Sequence, residues 1–434
     1  MQAVHRRDLG LVRALGPWGL AANVLNSIVG SGIFVVPAAL AAETGRYAPL
    51  MLLACAVVIG AVALCFAAGC SRVPSSGGPY AYIEAAHGPF PGLLVGTLLW
   101  LSALLADGGI ASALGATVAT VVPPALAAAV RAVVVIGVIG GIAAINVRSL
   151  NGGTRLLTGA SAVKLVPLAL FLVVGAGAMQ TAHFAAGTAA TPTGIGRAAI
   201  LAMFAFMGTE SALGASGEVV RPARTIPRAI GGALVTVTVL YVGIQIVAQG
   251  VLGAALPAST APLADALGRV GPEWRRFMLV GTVLSLFGWL CADLLSTPRL
   301  IFACARDGWL PAFLGRSHPR LRTPHVAIAT YAVAAIALAL SNGFAELAVL
   351  SALAITPVYV FGCTAAVALA RRRVALAGDP LEVRALGLVA AIGIGGMALM
   401  VALASRAEIL GLAAVIAASL VAYAWRRRSR PISA

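Results

Sequence analysis

The sequence predicts an all-α membrane protein of about twelve transmembrane helices, and three observations carry that prediction. The first is composition. Of 434 residues, 60% are hydrophobic and 10% charged, with a mean hydropathy of +0.99, a balance no water-soluble fold carries. The second is the recurrence of apolar segments long enough to cross a hydrocarbon core of about 30 Å. They fall at roughly 17–42, 48–71, 91–121, 125–146, 156–179, 194–217, 229–253, 277–304, 324–341, 344–370, 384–404 and 407–425. The third is the placement of arginine. With the N-terminus in the cytoplasm, 22 arginines lie in cytoplasmic segments and 7 outside, which is the positive-inside pattern. Both termini are then cytoplasmic, and the whole chain, 1–434, reads as one polytopic domain.

The elements follow in order. The first span sits behind Arg6, Arg7 and Arg13; its length argues against a cleaved signal peptide, whose apolar region is shorter. The second ends at Arg72, and a Pro/Gly/Ser-rich loop leads into the third, which carries Asp107. The fourth ends before Arg148, the fifth carries Lys164, and the sixth carries Gly208 and Glu210. An arginine-rich loop around Arg221 to Arg228 precedes the seventh. Trp289 and Asp293 lie in the eighth. The ninth and tenth are close neighbours, stopped by the run Arg371 to Arg373. The eleventh and twelfth finish the chain, with Arg426 to Arg430 as a cytoplasmic anchor able to touch anionic headgroups. A net charge of +16 spread over short loops sets topology and does not indicate nucleic acid. The six cysteines all sit in apolar segments without CxxC spacing, so neither a disulfide framework nor a zinc site is indicated.

Two spans are interrupted. The first contains Asn26-Ser27-Ile28-Val29-Gly30-Ser31-Gly32-Ile33-Phe34, and glycine is about 1 kcal/mol poorer than alanine in a helix interior. The sixth contains Phe206-Met207-Gly208-Thr209-Glu210, a glycine and an ionisable residue in mid-span. A broken helix is tolerated in a membrane only where it lines a cavity. Breaks five spans apart are what two inverted five-helix repeats would produce, with a binding site between them. The repeats would cover about 17–179 and 194–370, leaving 384–425 outside. Tight helix packing is the plainer use of small residues here.

Four local patterns resemble the amino acid–polyamine–organocation (APC) permeases, particularly the bacterial amino acid permeases. They are Gly30-Ser31-Gly32-Ile33-Phe34 with Pro37; Pro74-Ser75-Ser76-Gly77-Gly78-Pro79-Tyr80-Ala81-Tyr82 with Phe90; Phe206 to Glu210 followed by Glu218, Arg221-Pro222 and Thr225-Ile226-Pro227-Arg228; and Ala305-Arg306-Asp307-Gly308-Trp309-Leu310-Pro311 leading to Arg322-Thr323-Pro324. Each is weak alone; in the family's order and spacing they span nearly the whole chain. The resemblance implies the APC fold, with substrate held between the broken first and sixth helices.

A half-helix N-terminus offers free N–H donors and a partial positive charge, which suits an α-carboxylate. That role falls to Ser31, Gly32 and Ile33, with carbonyls near Ile28, Phe204 and Met207 accepting from the ammonium. The resemblance makes Phe204 an aromatic gate, Trp289 a wall of the pocket and Glu210 part of an inner gate. It places Asp107 toward the substrate side chain, where a carboxylate would favour a cation, although Asp107 could equally pair with a buried cation or be protonated. Asp293 keeps no assigned role beyond a possible partner in Arg299.

Lys164 is the only lysine among 30 basic residues. It lies nine residues after Arg155, about 14 Å along a helix and thus near mid-membrane. Arginine does not release its proton in a protein, whereas a buried lysine can. The position resembles that of a lysine in proton-coupled members of the family, which implies neighbours in the carbonyls near Ile28 and Val29 and in Ser285. A lysine permanently paired with a carboxylate is the alternative.

The expected activity is secondary active transport of amino acids across the cytoplasmic membrane, with proton-coupled uptake set against exchange of amino acids or amines. The expected partners are the small-molecule substrate, protons and lipid. An enzyme would need histidines or paired carboxylates at helical spacing, and the five histidines fall at termini, loops or span edges. A channel would need rings of charge or a filter motif. No cofactor or metal is expected.

Overall fold

Proline opens most of the helices. Its fixed φ and missing N–H cost nothing in a first turn, and Pro17, Pro79, Pro89, Pro192, Pro222 and Pro262 all stand there. The chain, seen in a computed structural model, is described over residues 16–30, 32–73, 75, 78–148, 164–184, 191–213, 216, 219–306, 310–376 and 380–429. Its helices are α1 (Pro17–Ile28), α2 (Val36–Thr44), α3 (Ala48–Arg72), α4 (Pro79–His87), α5 (Pro89–Ala119), α6 (Pro124–Arg148), α7 (Leu165–Ala176) and α8 (Pro192–Phe206). There follow α9 (Thr209–Ala212), α10 (Pro222–Leu252), α11 (Pro262–Gly268), α12 (Pro272–Arg306), α13 (His325–Ser341), α14 (Phe344–Arg371), α15 (Leu386–Ala402) and α16 (Arg406–Ser429). Short 3₁₀ turns join some of them, and no strand occurs among the described residues.

Six helical stretches among the described residues are long and apolar enough to cross a membrane: Val36–Arg72, Pro89–Ala119, Pro124–Arg148, Pro222–Ala258, Pro272–Arg306 and Phe344–Arg371. Their outer faces are apolar as well. Val57, Val133, Val235, Val239 and Val280 all stand exposed, an arrangement costly in water and neutral against hydrocarbon. This is a multi-pass membrane protein. α3, α6, α12 and α14 each end on an arginine, Arg72, Arg148, Arg306 and Arg371, where the partial negative charge of a helix C-terminus favours a cation.

α5 is the hub, packed against α4, α6, α12, α13 and α14, while α10 packs on α1 and α3. Departures from the sequence reading concern ends and breaks. The span expected at 17–42 is two helices, α1 and α2, and that expected at 194–217 is α8 and the short α9. α10 starts at Pro222 rather than 229, so the polar stretch from Pro222 to Arg228 is helix rather than loop. Pro222 begins it, and the Thr225 hydroxyl donates to the Val220 carbonyl at 2.6 Å. Likewise α4 forms within the loop expected after the second span. In both cases polar composition marks exit from the bilayer, not loss of helix. Ser31, Pro74, Ser76, Gly77, Arg155, Glu218 and Asp307 to Trp309, all named above, lie outside the described residues.

Candidate functional site

The site grows from the backbone groups that the first break releases. The Val29 N–H still reaches the Leu25 carbonyl at 2.7 Å, and the Gly30 N–H bends to Ile28 at 2.7 Å. Regular helix resumes at Val36. Carbonyls around the break take side chains from neighbouring helices. The Tyr241 hydroxyl on α10 donates to the Ile28 carbonyl at 2.8 Å, and the Ser285 hydroxyl on α12 donates to the Gly30 carbonyl at 3.2 Å. Gln245 donates to the Pro37 carbonyl at 3.2 Å. A buried, unpaired carbonyl costs about 1–3 kcal/mol, so the Ser285 bond to Gly30 offsets the opening of the helix, and Tyr241 and Gln245 add second donors on either side of it.

The second break is sharper. Met207 is extended, and Gly208 takes φ +121°, a conformation side chains resist. A Cβ at Gly208 would overlap the Ser27 carbonyl and come within 3.1 Å of the Ile28 nitrogen, so the two breaks lie against each other. Glu210, buried in the first turn of α9, accepts the Gly208 N–H at 3.1 Å and the Tyr359 hydroxyl at 2.9 Å. Tyr359→Phe would leave one carboxyl oxygen without a donor, at a cost of about 1–3 kcal/mol. The expected outcome is a lower unfolding midpoint in a thermal scan, in a protein that still elutes as a single species.

Between the breaks lies a cavity of about 220 Å³. Ile28, Gly32, Phe204, Met207, Glu210, Trp289 and Lys164, all singled out from sequence, line it, and Ser102, Ala103 and Ala106 of α5 form the facing wall. The Phe204 ring on the cavity wall is set edge-on to Phe344 with centroids 5.6 Å apart. Arg197 on α8 meets Glu43 of α2 at 3.2 Å and Glu346 of α14 at 3.8 Å. Ser296, also on the cavity wall, is exposed. The indole of Trp289 lies so close to Gly30 that a Cβ there would collide with it.

Other expected residues sit elsewhere. Ile33 is fully buried and away from the cavity, which leaves only its backbone for the role assigned to it. Ser285 stands behind the break, on the Gly30 carbonyl. Lys164 donates to the Asn26 side-chain carbonyl at 3.1 Å, not to the backbone near Ile28, whose carbonyl Tyr241 already holds.

Asp107 requires correction. It is fully buried behind the wall, and the aspartate on the cavity is Asp293. The Tyr331 hydroxyl lies 2.8 Å from Asp107 and 3.4 Å from Asp293. Asp293 forms no pair with Arg299, whose terminal nitrogens lack partners. Asn26, Tyr241, Tyr331 and Tyr359 escaped the sequence reading. Tyrosine at a span's interior reads as packing, and only the partner across the fold reveals its hydroxyl's task.

A pair of opposed helix breaks around a small cavity suits a carried solute. The sequence pattern described as amino acid permease matches residues 15–424. This chain belongs to the amino acid permease family. The permease is 35% identical over 325 residues to an uncharacterized transporter of Mycobacterium tuberculosis, covering 74% of this chain and 70% of that one. It is 29% identical over 369 residues to the serine/threonine exchanger SteT of Bacillus subtilis, covering 82% and 83%. With the methylthioribose transporter of the same organism it shares 28% over 343 residues, covering 74% and 73%. The permease is a transporter and not an enzyme.

Proposed function

We propose that this permease moves amino acids across the cytoplasmic membrane by alternating access, with substrate lodged between the two breaks. The observation that carries this reading is the direct apposition of Gly208 to the Ser27 carbonyl, which brings two sets of freed backbone groups to one cavity. The reading includes twelve spans, termini in the cytoplasm and two inverted five-helix repeats. It is supported by the arginines that close α3, α6, α12 and α14. The mouth at Ser296 then faces the cytoplasm, and Phe204 with Phe344 closes the outer side.

Backbone N–H groups from Ser31 to Ile33 take the α-carboxylate, and carbonyls near Ile28, Phe204 and Met207 take the ammonium. Trp289 forms a wall, and Phe204 and Glu210 act as outer and inner gates. Lys164, with Ser285 steadying the break, couples movement to protons. The cavity is smaller than the ~300–1,000 Å³ typical of drug-sized ligands, and its α5 wall, Leu99, Ser102, Ala103, Ala106 and Ile110, carries no charge. A small neutral amino acid fits that lining better than a long cationic one. Exchange of one amino acid for another is the second reading, favoured by the likeness to the serine/threonine exchanger.

Proteoliposome uptake separates the readings. Labelled serine, threonine, alanine and lysine are offered with an inward proton gradient, with and without internal amino acid. The expected result is accumulation of a small neutral amino acid into empty vesicles, accelerated by the gradient. Uptake that requires internal amino acid would replace symport by exchange. Uptake of none of the four under either condition would overturn the substrate assignment.

A further inference from the structure

Three side chains from three helices meet beside the cavity, and the transport reading uses none of them. Asp107 comes from α5, Asp293 from α12 and Tyr331 from α13. Asp107 and Tyr331 are almost wholly buried, whereas Asp293 is half-buried and reaches the cavity wall. One phenol stands within reach of both carboxyls, 2.8 Å from Asp107 Oδ2 and 3.4 Å from Asp293 Oδ2. Thr297 donates to Asp293 Oδ2 at 2.8 Å, while Asp107 Oδ1 is buried and accepts from no donor.

No cation answers these acids. Neither forms an ion pair among the described residues. α5 carries no other charged residue, and α13 has only His325, its first residue, which forms no ion pair among the described residues. From α6 the polar side chain at this level is Asn146, which donates to the Leu294 carbonyl. On α14 Ser351 is occupied with Ser102. Arg299 of α12 lies six residues beyond Asp293 and touches neither acid. Lys164, on the same cavity, is held by Asn26, and Glu210 by Gly208 and Tyr359.

The donors are too few for two carboxylates. A phenol has a single O–H, which the shorter contact commits to Asp107. Two like charges flanking one hydroxyl, one of them wholly buried, do not both persist. A proton between them removes the repulsion and supplies the missing donor. We propose that Asp107 and Asp293 share one proton across Tyr331, and that the pair exchanges it with water in the cavity through Asp293. The route is set by exposure, since Asp293 alone of the three touches the cavity. Such a pair titrates as a unit rather than as two separate acids. The site is distinct from Lys164 and gives the permease a second place to hold a proton.

The test is infrared spectroscopy on purified, substrate-free protein, so its outcome does not depend on which solute is carried. Wild type is expected to show the C=O stretch of a protonated carboxyl at neutral pH, shifting promptly in D₂O because the cavity reaches Asp293. Asp107→Asn and Asp293→Asn should each reduce that band at least twofold, because the remaining acid has lost its like-charged partner. Tyr331→Phe keeps both acids and should retain the band with a displaced titration midpoint. Absence of the band in wild type would overturn the proposal, and that measurement needs no variant to fold. A band undiminished in both aspartate variants would also overturn it, assigning the proton to Glu210.

Discussion

Gly208→Ala is expected to abolish substrate binding while leaving the protein in the membrane fraction and monodisperse in detergent. Two costs combine. The backbone at φ +121° penalises any side chain by ~1–3 kcal/mol. The added Cβ would also overlap the Ser27 carbonyl and lie 3.1 Å from the Ile28 nitrogen, and neither is the tip of a flexible side chain that could yield. Together they amount to at least ~3 kcal/mol, more than ~100-fold in affinity. The relief available is to push α9 off α1, which pulls apart the groups expected to hold both ends of an amino acid. Gly32→Ala is the contrast, since a Cβ there meets Ala205 and Phe204 at 3.5 and 3.6 Å, ordinary contact distances. Gly32→Leu, four heavy atoms larger than glycine, should behave like Gly208→Ala. Titration of the transported amino acid by scintillation proximity would report all three. Wild-type affinity in Gly208→Ala would mean that substrate does not use the junction of the breaks.

How much of this was legible in the sequence depends on the range of the interaction. The breaks were legible, because glycines and an ionisable residue inside an apolar run are local signals. So were the residues that a break brings to its own cavity, such as Gly32, Phe204, Met207 and Glu210. Apart from Ser285, which the family resemblance supplied, what bonds the backbone around the breaks was not legible, because Tyr241, Gln245 and Tyr359 come from helices more than a hundred residues away. The two aspartates mislead for the same reason. Asp107 and Asp293 are 186 positions apart in the chain, so no helical spacing pairs them. A helix's rotation about its axis decides which of its residues meets the cavity, and for α5 that rotation puts Ser102, Ala103 and Ala106 forward and Asp107 behind. Packing against α12, α13 and α14 sets it, and α5 alone carries no trace of it.

Lys164→Ala is expected to keep the fold yet lose the acceleration of uptake by an inward proton gradient. The argument starts from singularity: 29 of 30 basic residues are arginine, so a lysine at this depth answers a need arginine cannot meet. Arginine holds its proton under all conditions a protein survives, whereas lysine can give its proton up. The structure supplies the mechanical link. Lys164 is buried, at 4% exposure, and its ammonium donates to Asn26 Oδ1 at 3.1 Å. Asn26 belongs to the last turn of α1, so a proton on Lys164 steadies the half-helix at the cavity mouth. Loss of that proton removes the charge from the bond and weakens it, since charged hydrogen bonds are roughly twice as strong as neutral ones. In the reading proposed above, protonation favours the occluded end of α1 and deprotonation toward the cytoplasm frees it. Lys164→Arg keeps the charge and should hold α1 in place permanently, binding substrate but exchanging it at least ~10-fold more slowly. Lys164→Ala should bind and exchange without sensing the gradient. Uptake driven by a pH jump, measured beside exchange at equal pH on both sides, distinguishes the two variants. Gradient-driven accumulation at the wild-type rate in Lys164→Ala would sink the assignment and leave the carboxyl pair at Asp107 and Asp293 to carry the proton.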